Sequence, residues 1–197
     1  VGCLAHPTKT VVEAEGAVAR VLPIARDTLP SLETALELTK GADLIVTIGG
    51  ASVGDHDLVR KTSVTLDFFK VAMRPGKPLM AGRFGQTPMI GLPGNPVSSL
   101  VCGHIFLRPA LRVLQGLPRK PLPRQSAPLA APLTANGPRE HYMRARLDNG
   151  AVTAAERQDS GLISVLADSN VLIVRAPHDD PRATGDIVAD VSLDTTG

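Results

Sequence analysis

The spacing of apolar and polar positions divides the 197-residue chain into two halves. In residues 1–116, apolar positions with helical spacing alternate with short β-branched runs, which is typical of an α/β domain. The largely apolar run Asp43–Ile48 lies between glycines, as expected for a strand covered on both faces, and it favours a mostly parallel sheet. The predicted elements are helix Lys9–Glu15, strand Val18–Ile24, helix Pro30–Lys40, strand Asp43–Ile48, helix Asp57–Thr65, strands Phe68–Met73, Leu79–Ala81 and Met89–Leu92, and helix Asn95–Gln115.

The chain beyond residue 116 has a different texture. The segment LPRKPLPRQ, residues 117–125, holds three prolines and three cationic side chains, which is typical of a linker. From residue 126 to residue 197, short strand-like runs are separated by Gly, Pro, Asn and Asp, and this predicts a small all-β domain. These runs are Ala127–Leu133, His141–Leu147, Ala151–Ala155, Val171–Val174 and Ile187–Val191.

Composition and charge narrow the classes of function. The net charge is +2 without a basic stripe, and aromatic residues make up only 3%, so nucleic-acid binding is not expected. No apolar run approaches the roughly 18 residues of a membrane span. Cys3 and Cys102 form neither a metal motif nor a disulfide framework, which predicts a cytoplasmic protein with reduced thiols. None of the five histidines has metal spacing or a triad context, so none is assigned a catalytic role.

The stretch TIGGASVGDHD, residues 47–57, is the first candidate for ligand chemistry. In open α/β sheets, ligands bind beyond the carboxyl ends of strands, and glycines there let backbone N–H groups approach an anion closely. Asp55 and Asp57 are also suited to hold Mg²⁺ through their carboxylates. The simpler alternative is an ordinary strand-to-helix turn in which one aspartate is the N-cap.

The second candidate is a basic Pro-Gly turn. Lys70, Arg74 and Lys77 lie within eight residues around Pro75 and Gly76. Pro75 fixes φ and Gly76 supplies a left-handed conformation, which predicts a rigid type II turn. Cations held in this way suit an oxyanion, because a guanidinium donates two parallel bonds and an ammonium adds a point charge. The alternative is that basic residues decorate a solvated turn.

The third candidate is GLPGNPVSS, residues 91–99. Asn95 is predicted to open a helix whose first N–H groups are unpaired and favour anions, and Ser98 and Ser99 add hydroxyl donors. The alternative is plain helix capping. Because short strands join the two Pro-Gly turns, we expect the turns to converge on one edge of the sheet and to form an anion-binding site.

The order of these motifs resembles the MoeA family, the molybdopterin molybdenumtransferases, which includes the E domains of gephyrin and of plant Cnx proteins. The motifs are GGASVGDHD (49–57), KVAMRPGKP (70–78) and GLPGNPVSS (91–99). The stretches PREHYMRARL, DSGLISVLADSNVLIV and ATGDIVADV resemble the family's C-terminal β domain, which argues against the related MogA-type adenylyltransferases and CinA-type proteins. The resemblance implies a three-layer MogA/MoeA-like α/β domain over residues 1–116, N-terminally incomplete, a linker over 117–125 and a MoeA C-terminal β domain over 126–197.

The resemblance implies that molybdate is inserted into adenylated molybdopterin, with release of AMP and assistance from Mg²⁺. The residues matched to the family's catalytic positions are Asp57, Lys70, Arg74 and Lys77. The residues matched to binding positions are Gly49, Gly50, Ser52, Gly54, Pro75, Gly94, Asn95, Ser98, Arg139, Arg144 and Ser164. The implied metal ligands are Asp57 and Asp27. Arg74 stands where the family has lysine, which spreads the charge over a planar fork.

Members of the family carry two further N-terminal domains and dimerise, and the partner chain completes the active site. This chain begins at Val1, and VGCLAHPT does not resemble the family's first strand. We therefore expect a fragment with little turnover of its own, a homodimer in the longer protein, and a MogA-type adenylyltransferase as a partner. Two other functions stay open: a non-catalytic molybdopterin-binding or scaffold module, and a MogA-like adenylyltransferase.

Overall fold

The chain folds as two units, seen in a computed structural model that describes residues 2–26, 28–49, 64–159 and 161–194. Unit 1 combines Val1–Val71 with Gly76–Arg119, and unit 2 combines Ala72–Pro75 with Lys120–Gly197. The sequence analysis placed residues 72–75 in the first domain. They lie in unit 2 because the short strand Met73–Arg74 pairs with a strand of that unit.

The described residues of unit 1 form a sheet and three helices. In chain order, its elements are α1 (Gly2–Ala14), α2 (Leu29–Glu37), β1 (Ile45–Ile48), β2 (Val64–Phe69), β4 (Met80–Phe84), β5 (Thr87–Leu92) and α3 (Pro96–Leu114). The strand order is β1-β5-β4-β2. Only β1 and β5 are parallel, whereas β4 is antiparallel to both of its neighbours. The α/β class is confirmed, but the described part of the sheet is mixed rather than mostly parallel. Most of the predicted helix Asp57–Thr65 lies outside the described residues, and its last two positions belong to β2.

Helix α3 is the core element of unit 1. Val97, Val101 and Leu107 are each 0% exposed. The helix continues through a π-helical turn, Gly103–Leu107. In contrast to the expectation from the sequence, α3 is long and apolar enough to cross a membrane by length and composition, but 56% of the tested window is buried inside the protein. The core helix of a protein can have the same length and apolar composition as a membrane span. The burial of α3 is what packing in such a core requires.

The predicted strand Val18–Ile24 is wrong. Residues 17–26 form no strand, and Val18 is 97% exposed. β-Branched residues favour a strand only where a neighbouring strand can pair with them, and local propensity cannot supply that neighbour. The segment instead lines a groove of about 1010 Å³, together with residues of α1, α2 and β1.

Unit 2 is built on a six-stranded sheet with one short helix. Its elements are β3 (Met73–Arg74), β6 (Gln125–Pro128), β7 (Glu140–Asp148), β8 (Ala151–Ala154), α4 (Ile163–Ala167), β9 (Val171–Arg175) and β10 (Ile187–Ser192). The strand order is β3-β7-β9-β10-β6, and β8 pairs with β7. One face carries an apolar core that includes Val152, Ile173 and Val188. The small β domain that we predicted from short strand-like runs separated by turn residues is confirmed, with α4 as an added helical turn.

Candidate functional site

The loops that carry the motifs of unit 1 meet at one edge of its sheet. β1 and β5 end together, with Ile48 opposite Leu92. β4 starts at the same edge, because Met80 lies opposite Gly91, and β2 ends there, with Phe69 opposite Met80. The segments next to these strand ends therefore share the edge. Of the two Pro-Gly turns that we expected to converge, Lys77 and residues 93–95 lie at this edge, whereas Arg74 and Pro75 belong to unit 2. We call this region the unit 1 edge; it consists of Gly49, Lys70, Lys77 and residues 93–95.

Two glycines at the unit 1 edge approach each other through their backbones. Gly49 has a φ of 80°, and its N–H donates a hydrogen bond to the Leu92 carbonyl at 3.0 Å. A Cβ added to Gly94 would lie 3.3 Å from the Gly49 Cα. A side chain at Gly94 would therefore press on the backbone of the other loop. A Cβ at Gly49 would make an ordinary contact at 3.8 Å, so glycine is favoured there by its left-handed φ instead.

Asn95 caps helix α3. Its Oδ1 accepts hydrogen bonds from the Ser98 N–H at 3.1 Å and from the Ser98 hydroxyl at 3.2 Å. Ser98 is 6% exposed, so the hydroxyl that we assigned to ligand binding is engaged in the cap. The buried Ser99 hydroxyl has no hydrogen-bond partner within the described ranges. The helix start at Asn95 is confirmed, whereas ligand binding by Asn95 and Ser98 stays a prediction.

Lys70 and Lys77 flank the connection from β2 to β4. The Lys70 N–H donates to the Leu79 carbonyl at 2.9 Å, and the Val71 N–H donates to the Lys77 carbonyl at 3.0 Å. These bonds fix the backbone at both lysines. Both side chains are exposed, and Lys70 Nζ lies 4.8 Å from the centroid of the Phe69 ring. The unit 1 edge thus presents two ammonium groups from a backbone held in place, which suits an anion that arrives from solvent.

In the Pro-Gly turn, Gly76 is left-handed as the sequence predicted, with a φ of 117°, and the Arg74–Pro75 peptide is cis. The type II class of the turn stays a prediction. The Gly76 carbonyl lies 3.9 Å from Cys102 Sγ. Burial raises the pKa of this thiol to about 12, so Cys102 is a packing residue rather than a reactive one.

A second set of cations lies in unit 2. Arg74 on β3 pairs with His141 on β7, and His141 pairs with Arg175 on β9, so the three residues share one face of the sheet. His141 is 6% exposed and Arg175 is 2% exposed, whereas Arg74 is exposed. The charges of Arg74 and three further arginines act on His141, and we call these four the arginine cluster: Arg74, Arg139, Arg144 and Arg175.

The arginine cluster and burial together keep His141 uncharged. Burial, the larger cause, and the positive charges of the four arginines together lower the pKa of His141 to about 4. At pH 7 the imidazole is therefore neutral, although it lies among cations. A concentration of positive charge without an equal number of carboxylates is an arrangement that can receive an anion.

Arg144 supports the loop that leads to Ser164. Its Nη1 donates to the carbonyls of Asp159 at 2.9 Å and Leu162 at 3.1 Å, and the residue is 1% exposed. The Gln158 side-chain amide pairs with the backbone of Arg144 in both directions. Ser164 follows in α4 and is exposed. These contacts show that Arg144 holds the loop before α4 in place. Direct ligand binding by Arg144 and Ser164 stays a prediction.

Arg139 is positioned by a residue that the sequence analysis did not name. Asn136 Nδ2 donates to the Arg139 carbonyl at 2.9 Å and to the Ala176 carbonyl at 2.7 Å.

Arg175, at the end of β9, forms an ion pair with Asp179, and Arg182 pairs with the same carboxylate. The hydrogen bond from Arg182 lowers the pKa of Asp179, and Arg175 acts in the same direction. Asp179 is thus a carboxylate that stays ionised beside the cluster.

The alternation of β7 and β9 could have revealed His141 and Arg175. His141 shares its strand face with Met143 and Ala145, and Arg175 shares its face with Ile173. A polar residue on an otherwise apolar face is the informative exception in a strand pattern. The sequence analysis examined the histidines only for metal spacing and triads, and so it passed over this signal.

Five predicted site residues lie outside the described residues: Gly50, Ser52, Gly54, Asp57 and Asp27. Within the described ranges, no group of three or more His, Cys, Asp or Glu side chains is placed to hold a metal ion. The magnesium site on Asp57 and Asp27 therefore stays a prediction.

Comparison with known proteins covers both units. Residues 8–113 match the family described as probable molybdopterin binding domain, and residues 126–193 match the MoeA C-terminal region (domain IV). Molybdopterin molybdenumtransferase 2 of Mycobacterium tuberculosis is 44% identical over 121 residues, which are 57% of this chain and 30% of that protein. Molybdopterin molybdenumtransferase 1 of the same organism is 33% identical over 162 residues, which are 75% of this chain and 38% of that protein.

A solved structure has the same fold. The crystal structure of the molybdopterin biosynthesis MoeA protein from Pyrococcus horikoshii aligns with a TM-score of 0.80 and 21% identity, and the alignment covers 98% of this chain and 48% of that chain. This chain thus spans less than half the length of the relatives described here. The two family models account for both units and confirm the resemblance seen in the motifs. The chain therefore belongs to the MoeA family.

Proposed function

We propose that this chain acts in molybdenum cofactor biosynthesis, as part of a molybdopterin molybdenumtransferase that inserts molybdate into adenylated molybdopterin and releases AMP. The observation that carries the proposal is the unit 1 edge. There, the strand register brings two glycine loops, the capped start of α3 and the ammonium groups of Lys70 and Lys77 to one side of the sheet. The names of the relatives support the same reaction.

The unit 1 edge suits substrates that carry several negative charges. Molybdate is a dianion, and adenylated molybdopterin contains a pyrophosphate. Lys70 and Lys77 would offset their charge, and glycine loops allow backbone N–H groups to approach phosphate oxygens without a side chain between them. Donors that are fixed before the reaction stabilise charge as it develops, because they need not reorganise.

Asp57 and Asp27 would hold Mg²⁺, since carboxylates are ligands that this ion prefers. When bound, the ion would supply polarisation of a phosphoryl oxygen. In the longer protein, we propose a homodimer in the cytoplasm that receives adenylated molybdopterin from a MogA-type adenylyltransferase. Arg74, Arg139, Arg144 and Ser164 of unit 2 would contribute to molybdate binding.

The substitution Lys77→Ala tests the role of the unit 1 edge. It should weaken tungstate or molybdate binding about tenfold, because one ammonium group is lost from the site, a change of about 1.4 kcal/mol in binding free energy. The melting temperature should change little, since the Lys77 side chain is exposed. Isothermal titration calorimetry measures the affinity, and Lys40→Ala, at an exposed lysine paired with Glu37 after α2, is the matched control.

Equal affinity in wild type and Lys77→Ala would remove Lys77 from the site. A separate assay of AMP release, with adenylated molybdopterin and molybdate as substrates, addresses turnover. Oxyanion and pterin binding without AMP release, in this chain and in the longer protein, would favour the non-catalytic binding module over the transferase. ATP-dependent adenylation of molybdopterin by the chain would favour the adenylyltransferase instead.

A further inference from the structure

His141 occupies a central position in the arginine cluster. It lies on β7 between Arg74 on β3 and Arg175 on β9, at the same level of the sheet. With 6% exposure, its ring is shielded from most solvent. The charged groups that act on it are Arg74 on β3, Arg139 and Arg144 on or just before β7, and Arg175 on β9. The neighbouring carboxylates are Glu140, which precedes His141 in the chain, and Asp179, which pairs with Arg175.

The carboxylates near His141 are already engaged. Glu140 pairs with Arg124 at 2.7 Å, and Asp179 pairs with Arg175 and Arg182. Among the described residues, the Arg139 side chain donates only to the Met73 carbonyl, at 3.5 Å, and the Arg74 side chain has no hydrogen bond or ion pair. Within that part of the chain, no carboxylate pairs with either guanidinium group.

The protonation of His141 reports the balance of charge around it. Without a ligand, burial and the four arginines lower its pKa to about 4. A dianion bound by Arg74 and Arg139 would offset part of that positive charge, and an imidazolium beside an anion is favoured over one beside cations. The pKa of His141 should therefore rise when an oxyanion binds.

We propose that His141 takes up a proton when the arginine cluster binds a tetrahedral oxyanion, so that binding tightens as the solution becomes more acidic. The inference rests on the proposed role of Arg74 and Arg139 in oxyanion binding, and it adds a residue that this role did not include. His141 would thereby contribute to specificity, because its protonation would increase the affinity for a dianion more than the affinity for a monoanion.

The direction of the effect follows from linkage. Above the pKa of the bound state, His141 is neutral in both states and affinity does not depend on its protonation. Between the two pKa values, the complex binds one more proton than the unliganded chain, so affinity rises as pH falls. If the ligand raises the pKa from about 4 to about 6, affinity at pH 5 should be about tenfold higher than at pH 8.

The test uses the whole chain and inorganic sulfate, which stays a dianion over this pH range. NMR of the histidine side chains in the wild type should give a pKa near 4 for His141 without sulfate. With saturating sulfate, the pKa should rise by about two units, which is the rise that a tenfold difference in affinity requires. Calorimetry at pH 5 and pH 8 should show the tenfold difference. His141→Gln should keep sulfate binding at pH 8 and lose most of the difference, whereas His6→Gln, at an exposed position on α1, should keep it.

The possible outcomes separate this inference from the proposed function. Sulfate binding with equal affinity at both pH values, and with an unchanged His141 pKa, would overturn the proton coupling and leave the proposed function standing. If neither sulfate nor molybdate bound to the folded wild-type chain at pH 5 or at pH 8, both the proton coupling and the proposed function would be overturned. The NMR titration needs no variant, so a failure of His141→Gln to fold would not prevent the decision.

Discussion

The unit 1 edge and the arginine cluster of unit 2 both concentrate positive charge, but they are built in different ways. The unit 1 edge depends on backbone: two glycine loops in contact, a helix start and a hydrogen-bonded connection hold two exposed lysines. The arginine cluster depends on side chains, because the buried guanidinium groups of Arg144 and Arg175 are themselves hydrogen-bond partners of nearby loops.

This difference determines what each region tolerates. The stability of a region held by its backbone falls when a carbon atom is added to a closely packed glycine, and it changes little when an exposed side chain is replaced. A site built from buried side chains is sensitive to the loss of one polar group, since its partners are then left unsatisfied. Three substitutions test this contrast between backbone and side-chain constraints: one in the sheet of unit 1, one in the arginine cluster and one at the unit 1 edge. Each is compared with a matched variant.

The largest effect is expected from Gly82→Ala in the unit 1 sheet. An added Cβ would lie 2.0 Å from the Thr65 carbonyl oxygen of β2, so the β2–β4 pairing must shift. We expect a loss of about 4 kcal/mol or more in the free energy of unfolding. The control is Gly103→Ala, because no atom lies within 4 Å of its added Cβ and its φ of −57° is helical. Denaturant titration with circular dichroism measures both, and similar losses would refute the steric argument.

Arg144→Ala should have the next largest effect. It removes the donor to the Asp159 and Leu162 carbonyls from a fully buried position, and we expect a loss of about 3 kcal/mol. Arg146→Ala, two residues along β7 and exposed, should change stability by less than about 0.5 kcal/mol. Thermal unfolding of both variants compares them directly. If Arg144→Ala proved as stable as wild type, the side-chain framework of the arginine cluster would be the wrong description.

Asn95→Ala should have the smallest effect of the three. It removes the cap of α3, which is worth about 1 kcal/mol at a helix start. Asn95→Ser should retain most of the stability, because serine is also a good cap. The free energies of unfolding of the two variants give the answer. An equal loss in both would mean that Asn95 acts through something other than its cap.

Much of the fold of unit 1 was predictable because the signals are local. Pro96 after Asn95 and Gly116 after the last turn mark the ends of α3, and short apolar runs between turns mark β4 and β5. The prediction of a strand at Val18–Ile24 was wrong because a strand needs a partner strand. The composition of one segment does not show whether such a partner exists.

The arginine cluster was only partly predictable. The resemblance supplied Arg74, Arg139 and Arg144, but not Arg175. The apolar face of β9 was a local signal that could have singled out Arg175, but no local signal shows its pairing with His141. Its position opposite His141 arises from the pairing of β9 with β7, about 30 residues apart in the chain. Contacts of this kind are set by tertiary structure, so a reading of short motifs does not reach them.

The contact between Gly49 and Gly94 also bears on how sequence variants of this protein should be ranked. Gly94 is exposed to solvent, and a scale based on accessibility would class it as permissive. Its neighbour is nevertheless main chain, which cannot rotate aside as a surface side chain would. In a mutational library, Gly94 should therefore score closer to a core position than to a surface loop, with alanine the mildest replacement and larger side chains progressively worse.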